Sequence, residues 1–360
     1  MTKQLFTKFT FIYTVAVFYL AYTTPIAPHE AKILYDSLDI VSLFMRWGDE
    51  SVGGFLGLRV FSIVFGIFSI YLFYKLSQIY FDKRVDIYTS TTIFMLLPGI
   101  ITGMAMANEG IIVLPIVLLF VIFHHQKSYI YLPFLMLILF FVHNSSFVFF
   151  VAVFLYGIMN KERRLSLLAL TFLLAFIYLS GGVSLRGIPS GHFVDVFGLY
   201  AMIFSPLLFL YFFYAMYRIL LREKKGLIWY ISFTSLILSL ILSIRQKIHI
   251  TDFAPYVMIA VVLILGVFNH TIRVRLPQFQ KSYKRGFLLV IFVLIISLFI
   301  TIGHQLFFLL ENPKLHFAKE IYNPYVLSQK LKSKGVECYD TNSKKEEYQL
   351  RYYNILPCSN

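Results

Sequence analysis

The chain has 360 residues, of which 59% are hydrophobic and only 14% are charged. Soluble domains are about 45–50% apolar and about 25% charged, so this composition excludes an ordinary soluble protein. The net charge of +14 would suggest nucleic-acid binding in a soluble protein, but here the basic residues mostly separate apolar segments, where they set membrane topology. Two cysteines, Cys338 and Cys358, are too few for a Cys-rich metal site.

About eleven apolar segments follow one another along the chain. We interpret residues 6–21 as an uncleaved membrane anchor, because the Thr-Thr-Pro sequence that follows is a poor signal-peptidase site. The remaining segments are residues 55–80, 87–106, 110–123, 129–142, 146–159, 166–180, 197–217, 227–244, 254–268 and 287–309. Residues 129–142 and 146–159 are shorter than the roughly 20 residues of a perpendicular span, which is typical of a short hairpin. The predicted fold class is an all-α polytopic membrane protein.

The distribution of Lys and Arg predicts the orientation. If the N-terminus is cytoplasmic, the inner turns and the first segment's start hold sixteen Lys and Arg, whereas the outer loops hold five. By the positive-inside rule this predicts a bacterial inner (cytoplasmic) membrane protein with a cytoplasmic N-terminus and a periplasmic C-terminus. We expect a transmembrane domain over residues 1–310 and a small periplasmic domain over 311–360.

The predicted outer segments are polar. The first loop, residues 24–54, alternates apolar and polar residues over 31–45 with a helical period, which predicts an interfacial helix. In the tail, residues 324–334 resemble a helix, and residues 336–339 and 348–354 resemble strands, so the predicted C-terminal domain is α/β. In an oxidising compartment Cys338 and Cys358 either form a disulfide or remain free thiols.

Two acidic residues lie at the edges of apolar segments. Glu30 follows Pro25 and Pro28, which fix the chain's exit from the first segment. A carboxylate there is either a general base, with its pKa raised by partial desolvation, or a carboxylate favoured at a helix start. Glu109 lies in a short turn between two segments and either faces a protein cavity or the lipid headgroups.

Cations occupy comparable positions. Arg59 lies within the second segment and needs a partner, either an acid of the first loop or a lipid phosphate. Arg245, Lys247 and His249 alternate after the ninth segment. They either form a phosphate site or are flanking residues whose side chains extend to the membrane surface. Outward-facing acids and cations together indicate a transferase acting on a phosphate-activated lipid at the outer face of the membrane.

The order of these features resembles the polytopic glycosyltransferases of the GT-C fold, in the branch of bacterial aminoarabinose transferases and protein mannosyltransferases. The resemblance is carried by Pro-His-Glu-Ala at 28–31, Gly-Leu-Arg-Val at 57–60, Pro98, Glu109 and the stretch from Arg245 to Pro255. It covers most of residues 1–270. The sequence departs from the family pattern in having His29-Glu30 instead of two acids and Glu109 instead of Asp.

The resemblance implies transfer of a sugar from a polyprenyl-phosphate-linked donor to a glycan, lipid or protein acceptor of the cell envelope, by a single inverting displacement. Glu30 would be the base, and Glu30→Gln would then remove most activity without unfolding the protein. Glu109 would orient Glu30 or the acceptor, or it would share a divalent cation with His29. The resemblance thus allows a mechanism with or without a metal cofactor. The residues implied in lipid-phosphate binding are Arg59, Arg186, Arg245, Lys247 and His249.

Two other functions fit a membrane protein of this composition. A glycan polymerase or ligase would use the same lipid phosphates but rely on a larger outer loop than any seen late in this chain. A flippase would carry polar residues at mid-membrane and show paired half-repeats, neither of which the sequence displays.

Overall fold

The computed structural model describes residues 2–37, 39–142, 145–179, 192–305, 318–341 and 343–358. Helices dominate these ranges. The first nine are α1 Lys3–Thr23, α2 Pro28–Asp36, α3 Ile40–Val52, α4 Gly54–Tyr80, α5 Arg84–Leu96, α6 Pro98–Ala105, α7 Gly110–His125, α8 Leu132–Val142 and α9 Ser146–Met159. The others are α10 Arg163–Leu179, α11 Phe193–Phe204, α12 Pro206–Arg222, α13 Leu227–Ser243, α14 Ala254–Met258, α15 Val261–Val274, α16 Pro277–Ile302, α17 Lys319–Ser333 and α18 Lys344–Tyr352.

The structure does not confirm the predicted count of eleven spans. Within the described ranges, four helical stretches are long and apolar enough to cross a membrane: Lys3–Thr23, Gly54–Tyr80, Ala254–Val274 and Pro277–Ile302. Two bent pairs, α5 with α6 and α11 with α12, raise the count to six if each pair is one span. Both breaks come immediately before a proline, which cannot donate the backbone hydrogen bond that continues a helix. The remaining apolar helices, such as α8 and α9, are shorter than a span.

The chain divides into two compact units. The first consists of residues 1–8, 66–101 and 109–298, and the second of residues 9–65, 102–108 and 299–360. The division crosses α1, α4, α6 and α16. Within the second unit, the C-terminal helices α17 and α18 are grouped with the first loop, and the sequence-based boundary at residue 310 stays a prediction.

The first loop of the second unit contains two helices instead of the single predicted interfacial helix. Helix α3 buries Val41 and Met45 on one side, whereas Leu43 and Trp47 are exposed on another. Exposed Leu and Trp side chains one turn apart suit a helix at a membrane surface. Helix α3 also approaches α4 closely. A Cβ atom at Gly48 would lie 2.2 Å from the carbonyl oxygen of Gly57, so neither position has room for a side chain.

The described part of the C-terminal tail is helical, so the predicted α/β character is not confirmed. Helix α17 replaces the predicted helix 324–334 and begins earlier, while α18 occupies most of the predicted second strand. Gln349, Leu350 and Tyr353 are buried at helical spacing, and the Lys-Lys-Glu-Glu stretch before them favours a helix. The extended pairing that remains among the described residues is one isolated bridge between Cys338 and Leu356.

A disulfide joins Cys338 to Cys358 across 20 residues and encloses α18. Closing a loop of this length stabilises a folded domain by about 3 kcal/mol, because it restricts the unfolded chain. We therefore expect reduction to lower the melting temperature of the purified protein. The control is the double variant Cys338→Ser/Cys358→Ser. Its melting temperature should equal that of reduced wild type and should not change when reductant is added. A wild-type melting curve unaffected by complete reduction would contradict a stabilising role.

Candidate functional site

A buried ion pair between Glu30 and Arg59 organises the second unit. Glu30 lies in the first turn of α2, which Pro28 opens, and Arg59 lies in α4. Their side chains are 1% and 0% exposed. The guanidinium binds the carboxylate through two hydrogen bonds, from Nε to Oε1 at 2.8 Å and from Nη2 to Oε2 at 2.6 Å. This two-bond geometry is the strongest that Arg and a carboxylate form.

The remaining polar atoms of this ion pair are also satisfied. Each carboxylate oxygen of Glu30 accepts one further bond from the backbone, Oε2 from Ala27 N at 2.9 Å and Oε1 from Ala107 N at 2.6 Å. Arg59 uses its other three N–H groups on backbone carbonyls at the end of α1 and just beyond it. The acceptors are Ala21 at 2.9 Å, Thr24 at 2.7 Å and Pro25 at 3.0 Å. The pair therefore joins the exit of α1, the start of α2, the second turn of α4 and the turn after α6.

This geometry decides between two predicted partners of Arg59. The partner is the acid of the first loop, and all five guanidinium N–H groups are engaged, so no donor remains for a lipid phosphate. Glu30 has likewise filled the four lone-pair sites of its carboxylate and is shielded from solvent. A general base must reach the proton that it removes. Glu30 is therefore a structural anchor in this conformation, and its role as the base stays a prediction.

The other predicted residues of the second unit include His29, which precedes Glu30 in α2 and is exposed. Asp49 of α3, which the sequence analysis did not single out, is partly buried. Burial and then the adjacent charge of Glu50 raise the pKa of the Asp49 carboxyl. Only its place in a polar first loop could have indicated it.

The first unit holds Glu109 and the three predicted phosphate ligands. Glu109 is partly exposed and immediately precedes α7, where its backbone carbonyl accepts bonds from Ile112 and Val113. Arg245, Lys247 and His249 are exposed, while Ile248 between them is buried, as the alternating pattern predicts. This cationic loop leads into α14, which packs against α7.

Two further features of the predicted site stay predictions. Arg186 falls outside the described residues, which resume at His192. A cation shared by His29 and Glu109 also stays a prediction, because these residues belong to different compact units. Among the described residues no three His, Cys, Asp or Glu side chains cluster as metal ligands would.

The fold is similar to that of solved membrane proteins. The crystal structure of ArnT from Cupriavidus metallidurans in the apo state matches with a TM-score of 0.57 and 12% identity, covering 98% of this chain and 84% of that one. The structure of the same protein bound to undecaprenyl phosphate matches with a TM-score of 0.60 and 11% identity, covering 99% and 86%. At these identities the likeness shows the GT-C-type fold alone. No family model and no curated protein sequence matches the chain.

Proposed function

We propose that this chain is a membrane glycosyltransferase that moves a sugar from a polyprenyl-phosphate carrier to an acceptor at the outer face of the cytoplasmic membrane. The observation that carries the proposal is the fold, which matches ArnT over nearly the whole chain, including a form of ArnT bound to undecaprenyl phosphate. The acceptor is a glycan, lipid or protein of the cell envelope. In this orientation the N-terminus is cytoplasmic and α17 and α18 are periplasmic.

The reaction is a single inverting displacement. The acceptor's hydroxyl oxygen attacks the anomeric carbon as the bond from that carbon to the phosphate oxygen breaks, and the bonding electron pair leaves with the lipid phosphate. Positive charge develops on the sugar ring in the transition state, as in glycoside hydrolysis. The hydroxyl proton passes to a protein base. The phosphate leaves as a stable anion, so the protein's second task is to stabilise its negative charge.

Glu109 is the base in this proposal. It is an acid at the edge of an apolar helix, it is partly exposed, and it lies in the unit that also contains the cationic loop. Glu30 has a structural role in this proposal. Its Oε1 atom accepts a hydrogen bond from the backbone N–H of Ala107 and so holds the turn after α6.

The cationic loop is the proposed phosphate site. Arg245 offers paired donors and Lys247 a point charge, while His249 adds a third cation when protonated. All three are exposed. Charge-assisted hydrogen bonds contribute about 1.5–3 kcal/mol each, and about 1.4 kcal/mol corresponds to tenfold in affinity. Loss of both permanent charges should therefore be measurable in direct binding of the carrier.

We expect Arg245→Gln/Lys247→Gln to weaken binding of undecaprenyl phosphate at least about tenfold in native mass spectrometry of the purified protein. The matched control is Lys224→Gln/Lys225→Gln, which removes two charges from the predicted inner side and should leave the affinity unchanged. Equal affinity in the wild type and the Arg245/Lys247 variant would remove this loop from the phosphate site.

A cellular experiment tests the function as a whole. Lipid-linked sugars and surface glycans are measured by mass spectrometry in cells that carry wild type, a deletion or Glu109→Gln. A transferase predicts that both mutants accumulate a polyprenyl-phosphate sugar and lose one sugar from one envelope component. A glycan polymerase or ligase predicts shortened or unattached polymers instead. A deletion that blocks export, with Glu109→Gln behaving as wild type, would indicate a flippase and reject the transferase.

A further inference from the structure

The second compact unit contains a large cavity that is not lined by the proposed base or the cationic loop. Its volume is about 1160 Å³. It is lined by residues from the end of α1, the start of α4, the segment after α16, and helices α17 and α18. The lining residues used below are Phe55, Gln305, Tyr322, Tyr325, Lys330 and Tyr352.

Aromatic rings form the main wall of this cavity, and they pack on one another. Phe55 stacks on Tyr352 with ring centroids 6.0 Å apart and meets the edge of Tyr325 at 6.2 Å. The hydroxyl of Tyr322 pairs with Nε2 of His304 at 2.9 Å. Such contacts restrict the side-chain rotamers before any ligand arrives. A ligand that binds to these rings therefore causes a smaller loss of side-chain entropy.

The polar groups of the wall are mostly neutral. Gln305 and Asn323 contribute side-chain amides, and Lys330 is the one charged residue in the described lining. Burial raises the pKa of Tyr352 and also that of Tyr322, so both hydroxyls stay protonated at physiological pH. Val326 and Leu327 are the aliphatic side chains of the described wall, whereas a site for a hydrocarbon tail would be rich in them.

From this combination we infer that the cavity binds a saccharide, and that this saccharide is the acceptor of the proposed transfer. Flat aromatic rings suit the apolar C–H faces of sugar rings, while amide and phenol groups satisfy sugar hydroxyls. Lys330 suits one acidic substituent on the glycan. The assignment to an acceptor rests on the proposed function, but the saccharide site itself does not.

The experiment uses the full chain in lipid nanodiscs and saturation-transfer NMR. The probe is the mixture of oligosaccharides released by mild acid from the envelope of the producing cells. We expect saturation of sugar-ring protons by the wild type and an affinity lowered about tenfold in Tyr325→Ala, but largely kept in Tyr325→Phe, which retains the ring. Tyr178→Ala, which changes a tyrosine that is 86% exposed on α10, is the matched control.

The outcomes separate this inference from the proposed function. Melting temperatures of all variants show whether Tyr325→Ala remains folded, and Tyr325→Phe carries the test if it does not. Absence of saccharide saturation in the wild type, or equal saturation in folded Tyr325→Ala, would overturn the inference. So would loss of undecaprenyl-phosphate binding in Tyr325→Ala with saccharide binding unchanged, which would assign the cavity to the carrier. Saccharide binding that depends on Tyr325 in a protein without transfer activity would support the site and reject the transferase.

Discussion

Glu30→Gln is expected to destabilise the protein by about 3–5 kcal/mol, because it leaves the charge of Arg59 buried without its counter-ion. Gln keeps the size of the side chain but cannot accept the two charge-assisted bonds that Glu30 receives from Nε and Nη2. Its amide nitrogen would also face a backbone N–H where Glu30 presents an oxygen to each of Ala27 and Ala107. The measurement is the melting temperature of detergent-solubilised protein, together with the yield of folded material.

The control for this substitution is Glu50→Gln. Glu50 is exposed in α3, within the same unit, so its change should leave the melting temperature nearly unaltered. A second variant tests the cause. Arg59→Met leaves the charge of Glu30 buried without its counter-ion and should be destabilised by a similar amount. A Glu30→Gln protein that melts like wild type would show that the pair is not a structural anchor.

The sequence predicted the composition-driven features of the fold well. Helix α4 matches the predicted segment 55–80 within a residue at its start, because both its length and its polar flanks are visible in the sequence. The breaks between α5 and α6 and between α11 and α12 were harder to predict from the sequence. A proline at position 98 or 206 is compatible with a kink, a break or a helix start. Packing against neighbouring helices determines which of these forms. The number of helices counted as membrane spans depends on whether each bent pair is one span.

The candidate site was predicted in part. The sequence showed that Arg59 needs a partner and that an acid of the first loop was one option, which the structure realises. It could not show that Glu30 would also accept backbone bonds from Ala27 and from the distant Ala107, because backbone donors leave no pattern in a sequence. The aromatic cavity could not be predicted from the sequence either, because its wall is built from distant parts of the chain. Its wall combines Phe55 with tyrosines nearly 300 residues later in the chain.

The largest expected effect on activity comes from Glu109→Gln. A positioned general base contributes roughly 10²–10⁴-fold to a rate, and the amide cannot take the acceptor's proton, so we expect sugar transfer to fall by about that factor. Undecaprenyl-phosphate binding should be unchanged, since the substitution leaves the cationic loop intact. Because Glu109 is partly exposed just before α7, the melting temperature should also stay within about a degree of wild type.

The comparison of Glu109→Gln with Glu30→Gln distinguishes a loss of catalysis from a loss of folded protein. If Glu109 is the base and Glu30 is a structural anchor, the first variant is folded and inactive, whereas the second loses activity in proportion to folded protein. Glu109→Asp, which keeps a carboxylate on a shorter side chain, should retain more activity than Glu109→Gln. A folded, fully active Glu109→Gln protein would reject the assignment. An inactive Glu30→Gln protein with wild-type melting would return the base role to Glu30, and the carboxylate would then have to exchange one of its four hydrogen bonds for the substrate during turnover.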